Sequence, residues 1–482
     1  MNDTTTQYDA IVIGSGAGGA AAAHGLVKRG WRVALLEKGP ELPLDGSTLD
    51  VDKVIRQGVF KSKEPWLDKD GATFVPEEYF NLGGKTKWYG AAVLRYAAHE
   101  FEADPGHQCL PWPIRYQELA PYYDEAEKLW GVREFDPEPD MRALVKGITR
   151  NGAGWKAEPL PLALAAEIIT DPLEARHFDA FASAKGYKAE SQRSLLEPLR
   201  RDPNLTVLTN QPVVRLIGAD HQPERITGVE TAAGATLFAP SGCCSRWARC
   251  TRRVCSRIIW WQRVWRSACR VIGWSGVTST PYLYRDAGAV AEPQDRFAAQ
   301  DAGAAQRALP AQQRAALGLR RRVDGDIISE LLAALVRPRH GKRAYGLFLQ
   351  TEDGSDERNR VRAANGMGKP QLDYDPLRTK AAASEHRQLV RALQKSLLRA
   401  GFIAPSKSVP LAGTAHACGT LVTGADPTRS VVDGLGKVHG MDNLYVVDGS
   451  ILPRSSRVNP SLTIYAWALR VAAHLPPAGV RS

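Results

Sequence analysis

Residues 8–37 constrain the fold most, because a strand pattern, a glycine-rich turn, a helix pattern and a second strand pattern follow one another without interruption. The apolar run at 10–13 predicts a buried strand. A second apolar run, at 33–36, ends at Glu37. Glycines between such strands permit a tight turn and let the backbone approach a pyrophosphate. The carboxylate of Glu37 can accept hydrogen bonds from ribose hydroxyls. We therefore predict a parallel α/β sheet that binds a dinucleotide, FAD or NAD, through Gly14, Gly16, Gly19 and Glu37.

A second informative block lies near the C-terminus. Residues 444–447 predict a buried strand, which Asp448 and Gly449 close at a point where the backbone must approach something closely. Asn459 is the predicted N-cap, and Pro460 the predicted first residue, of an apolar helix. A helix N-terminus carries unpaired N–H groups and partial positive charge. It would therefore stabilise an anionic ring.

The whole stretch from 416 to 470, beginning His-Ala-Cys-Gly-Thr, resembles the C-terminal signature of the glucose-methanol-choline (GMC) flavoprotein oxidoreductases. This resemblance selects FAD as the dinucleotide. It implies that His416 takes the hydroxyl proton of an alcohol while hydride leaves for flavin N5, and that Asn459 holds the substrate oxygen. Outside this motif, a lone histidine is more often a structural residue.

Two further segments resemble flavin contacts of the same family. Residues 81–84 with Trp88 resemble its second flavin-contact loop, and the position of Trp88 corresponds to a histidine that bonds covalently to the flavin in some members. The resemblance therefore implies noncovalent FAD, contacted by Gly83 and Gly84. An ATP-binding loop is excluded because Tyr79 stands where that loop needs glycine. Residues 204–208 with Val213 resemble the strand pair on the adenine side.

The resemblance implies an α/β fold in which a Rossmann-like FAD-binding domain carries a second α+β substrate domain built on an antiparallel sheet. The FAD-binding domain is expected to comprise three parts of the chain, and the substrate domain two. The FAD-binding domain is expected at 1–95, 196–239 and 412–482. The substrate domain is expected at 96–195 and 324–411.

Residues 240–323 have an anomalous composition. The net charge of +11 for the 482 residues falls entirely here, on 15 Arg, no Lys and 4 acidic residues. The segment also holds five of the seven Cys and five of the twelve Trp, but no His. Its cysteines lack the paired spacing of a zinc module, so no metal site is predicted. An arginine-rich nucleic-acid arm and an out-of-frame translation remain as alternatives, and we favour the second.

The genetic code supports the frame hypothesis. Cys and Trp codons begin with TG, so a frame that starts one base earlier reads Leu, Val or Met at each of them. With suitable synonymous codons, the stretch from Cys243 then resembles the family's AAGAL-x-x-P segment, and the stretch past Cys269 its LVGR loop.

The polar N-terminus has no signal peptide pattern, and no apolar run reaches about 18 residues, which predicts a cytoplasmic protein without a membrane partner. We expect an FAD-dependent oxidoreductase that acts on a CH–OH group of a small-molecule alcohol, with an electron acceptor that the sequence does not identify. The first alternative is a catalytically dead relative that retains part of a dinucleotide scaffold. The second, nucleic-acid binding, depends on the Arg-rich segment alone.

The frame hypothesis predicts that the chain as written is a poor enzyme and that restoring the frame across codons 235 to 325 rescues it. Unpaired arginines are costly to bury, and domains are stable by only about 5–15 kcal/mol. Both versions should be expressed side by side and compared in solubility, flavin content and alcohol turnover. Equal values for the two would identify the Arg-rich segment as a genuine insertion.

Overall fold

The computed structural model describes residues 8–137, 139–150, 154–238, 243–245, 279–285, 344–347, 349–362, 369–408, 411–413 and 416–476. Its strands are β1 (Ala10–Ile13), β2 (Val33–Leu36), β3 (Trp66–Leu67), β4 (Thr73–Phe74), β5 (Leu205–Leu208), β6 (Val213–Ala219), β7 (Gln222–Thr231), β8 (Thr236–Phe238), β9 (Cys243–Ser245), β10 (Ser279–Arg285), β11 (Ala344–Gly346), β12 (Arg360–Arg362), β13 (Gln371–Asp373), β14 (Phe402–Ile403), β15 (Ser406–Ser408) and β16 (Leu444–Val446). Its α-helices are α1 (Ala17–Lys28), α2 (Tyr116–Trp130), α3 (Pro139–Thr149), α4 (Pro172–Arg176), α5 (Lys380–Arg399) and α6 (Ser461–His474).

A five-stranded parallel sheet with the strand order β16-β9-β1-β2-β5 contains the predicted strand-turn-helix-strand unit. Ala10 lies opposite Val33, and Val33 lies opposite Leu205, so β2 pairs along its whole length on both sides. Strands β1 and β2 are almost completely buried, as expected for parallel strands covered on both faces. The predicted strand-turn-helix-strand unit and the α/β class are therefore confirmed.

Glycines let helix α1 approach the sheet and helix α6 closely. A Cβ atom on Gly18 would lie 1.9 Å from the carbonyl oxygen of Val447, just past β16. A Cβ on Gly19 would lie 1.9 Å from the carbonyl oxygen of Gly14 in the preceding turn. Farther along α1, a Cβ on Gly25 would lie 2.8 Å from the Cβ of Ala472 in α6. Helix α1 thus joins the N-terminal unit to the C-terminal block.

Strand β9 lies inside the segment that we predict to be out of frame. It pairs in parallel with β1, where Ile11 is opposite Cys243, and with β16, where Leu444 is opposite Cys243. The frame hypothesis implies that a strand of the flavin-binding domain is lost in this segment, and this expectation was wrong for residues 243–245. Ladder hydrogen bonds use backbone groups, so an unusual composition does not prevent the pairing. Residues 279–285 form β10, and the rest of 240–323 lies outside the described residues.

The described residues form three further sheets besides the parallel sheet. An antiparallel sheet has the order β11-β10-β14, with β15 also paired to β10. A mixed sheet has the order β12-β13-β3-β4, in which β13 pairs in parallel with β3. The third sheet, β6-β7-β8, is antiparallel. The expected antiparallel sheet is therefore confirmed, whereas the domain boundaries stay predictions.

Residues 204–208 and Val213 do not form a strand pair. Strand β5 is the edge of the parallel sheet next to β2, while β6, which begins at Val213, pairs with β7. The two predicted strands exist, but only four residues separate them, and the chain uses those residues to pass from one sheet to the other. In the described part of the chain, no helix is both long and apolar enough to cross a bilayer.

The close approach of α1 to β16 predicts that Gly18→Ala destabilises the protein by about 1–3 kcal/mol or more, because the added methyl group overlaps a backbone oxygen that side-chain motion cannot move. Chemical unfolding followed by circular dichroism measures the effect. Gly218→Ala is the matched control, since the nearest atom to its added Cβ is 3.8 Å away. Equal unfolding free energies for both variants would contradict the contact.

Candidate functional site

The Glu37 carboxylate holds the glycine-rich turn at the end of β1. Its Oε2 accepts hydrogen bonds from the backbone N–H of Ser15 at 2.9 Å and from the Ser15 hydroxyl at 2.6 Å. Its Oε1 accepts a bond from the N–H of Gly39 at 3.0 Å. Glu37 is buried, yet a carboxylate offers about four acceptor sites, so these three bonds leave room for another donor.

Ser15 is a site residue that the sequence prediction missed. Its hydroxyl donates to Glu37 and also accepts a hydrogen bond from the N–H of Gly83 at 2.9 Å. The glycine-rich turn and the second predicted loop therefore share one side chain. The available signal was a polar residue within a run of glycines.

The second predicted loop is closed by Asn81. Its Nδ2 donates to the carbonyl oxygens of Leu82 at 2.9 Å and Gly84 at 3.3 Å. The φ angles of Gly83 and Gly84 are +88° and +56°, a backbone conformation that residues with a side chain rarely adopt. These two glycines therefore let the chain turn into the short helix Gly84–Lys87.

Trp88 packs against the same loop. Its Nε1 donates to Asn81 Oδ1 at 2.9 Å, and its ring stacks on Tyr79 with 4.7 Å between ring centroids. The side chain is only 5% exposed, and it packs on Phe60 as well. The indole is therefore a packing residue of the loop.

At the carboxyl end of β16, Asp448 and Gly449 form a tight turn. Asp448 Oδ1 accepts hydrogen bonds from the backbone N–H of Ser450 at 3.0 Å and from its hydroxyl at 2.5 Å. A Cβ on Gly449 would lie 3.1 Å from Ile464 in α6 and 3.4 Å from the carbonyl oxygen of Ala417. The residue after His416 thus lies directly against the turn that the sequence predicts to contact a ligand.

His416 is partly buried, and its electrostatic environment disfavours the charged form. Burial, together with the positive charge of Lys85, lowers the pKa of His416 to about 4. Lys85 itself pairs with the buried carboxylate of Glu78 at 2.5 Å. The imidazole is therefore neutral at pH 7 and can accept a proton.

Asn459 does not cap helix α6 as predicted. The helix begins at Ser461, Pro460 occupies the N-cap position, and the Pro460 carbonyl accepts the hydrogen bond from the N–H of Ile464 at 3.0 Å. The boundary prediction was wrong by one residue: the Pro460 carbonyl accepts the hydrogen bond that opens the helix, even though its φ of −81° and ψ of −10° are already helical. The Asn459 amide instead donates to the carbonyl oxygen of Ala92 at 3.3 Å.

Val213 lies close to the Glu37 end of the sheet. The two residues before Pro212 run alongside the backbone after β2: the N–H of Gln211 donates to Glu37 O at 2.8 Å, and that of Asn210 donates to Gly39 O at 3.1 Å. The fold therefore gathers Gly14, Gly16, Glu37, Asp448 and Gly449 at the carboxyl ends of β1, β2 and β16, whereas the Asn459 side chain is held at Ala92. Among the described residues, no group of three or more His, Cys, Asp or Glu side chains could hold a metal ion.

Comparison with known proteins agrees with this arrangement. The family model described as GMC oxidoreductase matches residues 355–468, and the model described as FAD dependent oxidoreductase matches residues 9–239. Paromamine 6'-oxidase of Streptomyces fradiae is 28% identical, over 98% of this chain and 91% of that protein. The chain belongs to the GMC family of FAD-dependent oxidoreductases.

Other relatives of this GMC protein are less completely aligned or more distant. The 2-methyl-1,2-propanediol dehydrogenase of Mycolicibacterium austroafricanum is 29% identical over 49% of this chain and 46% of that protein. Among solved structures, pyridoxine 4-oxidase from Mesorbium loti superposes with a TM-score of 0.60 at 17% identity, covering 96% of this chain and 98% of that one. The similarity to pyridoxine 4-oxidase supports the assignment of the fold.

The hydrogen bonds of Glu37 predict that Glu37→Ala weakens FAD retention by about 1–3 kcal/mol, the scale for leaving buried donors unpaired. The backbone N–H groups of Ser15 and Gly39 lose their acceptor in the variant. Equilibrium dialysis of FAD measures the change, and Glu64→Ala, which removes an exposed carboxylate paired with Lys38, is the control. Unchanged FAD affinity in Glu37→Ala would remove Glu37 from the cofactor site.

Proposed function

We propose that this protein oxidises a CH–OH group of a small-molecule alcohol to a carbonyl, with His416 as the base. The observation that carries the proposal is the depressed pKa of His416, about 4, next to the turn at Gly449. A base that is neutral at the working pH can take a hydroxyl proton without first losing one of its own.

The residues present suit FAD. Gly14, Gly16 and Gly19 leave no side chain above the N-terminus of α1, and Gly16, at the N-cap, makes no side-chain capping bond there. The N–H groups of that first turn can therefore bind a pyrophosphate. We assign the remaining contacts to residues grouped at the same sheet edge or in the flavin loops: Glu37, Gly83, Gly84, Val213, Asp448, Gly449, Asn459 and Pro460.

Bound FAD supplies the hydride acceptor, and the side chains handle the proton and the orientation. His416 takes the hydroxyl proton on a ring nitrogen as the C–H bond to the reacting carbon breaks. The positive charge of Lys85 disfavours the imidazolium that results, so the proton is readily passed on. Asn459, tied to Ala92 O at 3.3 Å, orients the substrate oxygen with its amide.

We propose noncovalent attachment of FAD. Trp88 stands where some GMC proteins carry the histidine that bonds to flavin. An indole N–H only donates hydrogen bonds, and here it donates to Asn81 Oδ1. This side chain therefore offers no nucleophilic nitrogen for a flavin linkage.

An alcohol is the favoured substrate class for two reasons. One relative is named for a diol, 2-methyl-1,2-propanediol, and another for oxidation of paromamine at its 6' position. A neutral base also suits a hydroxyl group, whose proton must be removed for the carbonyl to form. An inactive relative remains the second candidate, and turnover with an artificial electron acceptor separates the two.

The proposed base predicts that His416→Ala slows flavin reduction by roughly 10²–10⁴-fold while FAD stays bound, the usual contribution of a general base. Stopped-flow absorbance of the flavin with excess alcohol measures the rate. In the unsubstituted protein, the rate should be constant from pH 7 to pH 5 and fall as the pH drops through about 4, since the pKa of His416 lies there.

A charge variant tests the same base without removing it. Lys85→Gln should raise the pKa of His416 and move the acid limb to higher pH, because the positive charge that lowers this pKa is gone. Lys87→Gln is the control, because it also removes one positive charge from the same turn, where Lys87 pairs with Glu190 at 2.9 Å. It should leave the pH dependence of flavin reduction unchanged. Near-normal flavin reduction in His416→Ala would place the chemistry elsewhere.

A further inference from the structure

One buried lysine side chain joins three backbone carbonyls beside the second predicted loop. Lys188 is 1% exposed, and its Nζ donates hydrogen bonds to the carbonyl oxygens of Tyr89 at 2.8 Å, Phe178 at 2.7 Å and Phe181 at 2.5 Å. An ammonium group has three N–H donors and no acceptor, so these bonds use all of its donors. Lys188 therefore ties Tyr89 to the turn at 178–181.

The protonation state of Lys188 matches this arrangement below neutral pH. Burial lowers the pKa of Lys188 to about 7, while the negative charges of Asp179, Glu174 and Glu190 oppose this shift and the positive charge of Lys87 adds to it. At pH 6 the side chain is therefore an ammonium, with one donor for each of the three carbonyls.

The three residues that follow Lys188 bind the same part of the chain. They make three more hydrogen bonds, from Tyr89 Oη to Ala189 O at 2.7 Å, from Lys87 Nζ to Glu190 Oε1 at 2.9 Å and from Ser191 N to Thr86 Oγ1 at 3.0 Å. Segment 188–191 is thus the support on which residues 86–89 lie.

The chain leaves this support through a strained residue. Ala91 has a φ angle of +57°, a left-handed conformation that residues with a Cβ atom rarely adopt. Such strain persists only where neighbouring contacts hold the backbone in place. Here the N–H of Ala163 donates to the Ala91 carbonyl at 2.8 Å, and Lys188 holds Tyr89 two residues earlier.

The strained residue leads directly to the carbonyl that binds Asn459. Ala92 O accepts the hydrogen bond of the Asn459 amide at 3.3 Å, and Ala92 also forms a backbone bridge with Leu162. Residues 89–92 therefore connect the second predicted loop to Asn459. A shift of Tyr89 would move both.

We propose that Lys188 is a positioning residue for the oxidation: its three carbonyl bonds hold residues 89–92, and with them the second predicted loop and the carbonyl that orients Asn459. The effects on FAD and on catalysis rest on the proposed function. The hold on the backbone does not, and it is measured separately.

Hydrogen exchange of FAD-loaded protein at pH 6 measures this hold. Lys188→Met keeps a side chain of similar length but removes all three donors. The N–H of Ala180 donates to Trp88 O at 3.1 Å and that of Ala163 to Ala91 O, so both amides report on the segment. Their protection should fall by about tenfold or more, because bonds to a charged donor are lost.

Two controls separate this effect from the substitution itself and from general destabilisation. Lys156→Met replaces a lysine whose side chain is 81% exposed, and it should behave as the unsubstituted protein does. Val229→Ala creates a cavity at a fully buried position of β7. It should lower the unfolding free energy but leave the visible circular dichroism of bound flavin unchanged.

Ala91→Gly tests the strain and guards against a folding defect in Lys188→Met. Glycine adopts a positive φ without steric cost, so the double variant should regain part of the lost protection. A double variant no better protected than Lys188→Met would overturn the role of the strained segment. Failure of both to fold, while Val229→Ala folds, would show that Lys188 supports the whole domain and would also overturn the proposal.

The flavin readouts distinguish failure of this inference from failure of the proposed function. We expect Lys188→Met to release FAD about tenfold faster or more, to change the visible circular dichroism of the flavin and to slow flavin reduction at saturating alcohol. Lost protection with unchanged flavin properties would refute the second predicted loop as a flavin contact and leave the hold by Lys188 standing. Unchanged protection in Lys188→Met would refute the positioning role and leave the proposed function standing.

Discussion

The contact between Gly18 in α1 and the backbone at Val447 is the constraint on which the rest of the structure depends. It joins an element near residue 20 to a strand near residue 446, and it leaves no space for a side chain between them. Because α1 also packs on α6 through Gly25 and Ala472, the glycine-rich turn and the C-terminal block cannot move independently. The proposed base and the proposed cofactor site therefore share one rigid frame.

Polar contacts complete the arrangement that this packing begins. Ser15 bonds both Glu37 and Gly83, so the glycine-rich turn, the end of β2 and the second loop are joined at one hydroxyl. A buried hydrogen bond to a charged group stabilises by about 1.5–3 kcal/mol and also fixes direction. The position of the second loop is thus set by the first turn. Lys85 lies on that loop, and its positive charge is therefore held where it lowers the pKa of His416.

Local sequence patterns predicted the parts of the fold that local physics decides. The strands around the glycine-rich turn and the apolar helix after Pro460 exist, and so does the antiparallel sheet, which only the family resemblance implied. The N-cap at Asn459 was wrong by one residue, because the Pro460 carbonyl accepts the hydrogen bond that opens the helix. The hydrogen bonds of Ser15 to Gly83 and of Asn459 to Ala92 could not be predicted, since these partners come from remote parts of the chain.

In the anomalous segment, the ability of the backbone to pair as a strand and the ability of the side chains to be buried must be considered separately. Pairing of β9 with β1 and β16 needs only backbone N–H and C=O groups, so any non-proline residues can supply it. Burial of the residues after Ser245 is a different requirement, because each unpaired arginine in an apolar interior costs several kcal/mol. A central strand can therefore persist at 243–245 even where the composition beyond it does not suit a core. The frame hypothesis consequently depends on the residues after Ser245, and the presence of β9 does not argue against it.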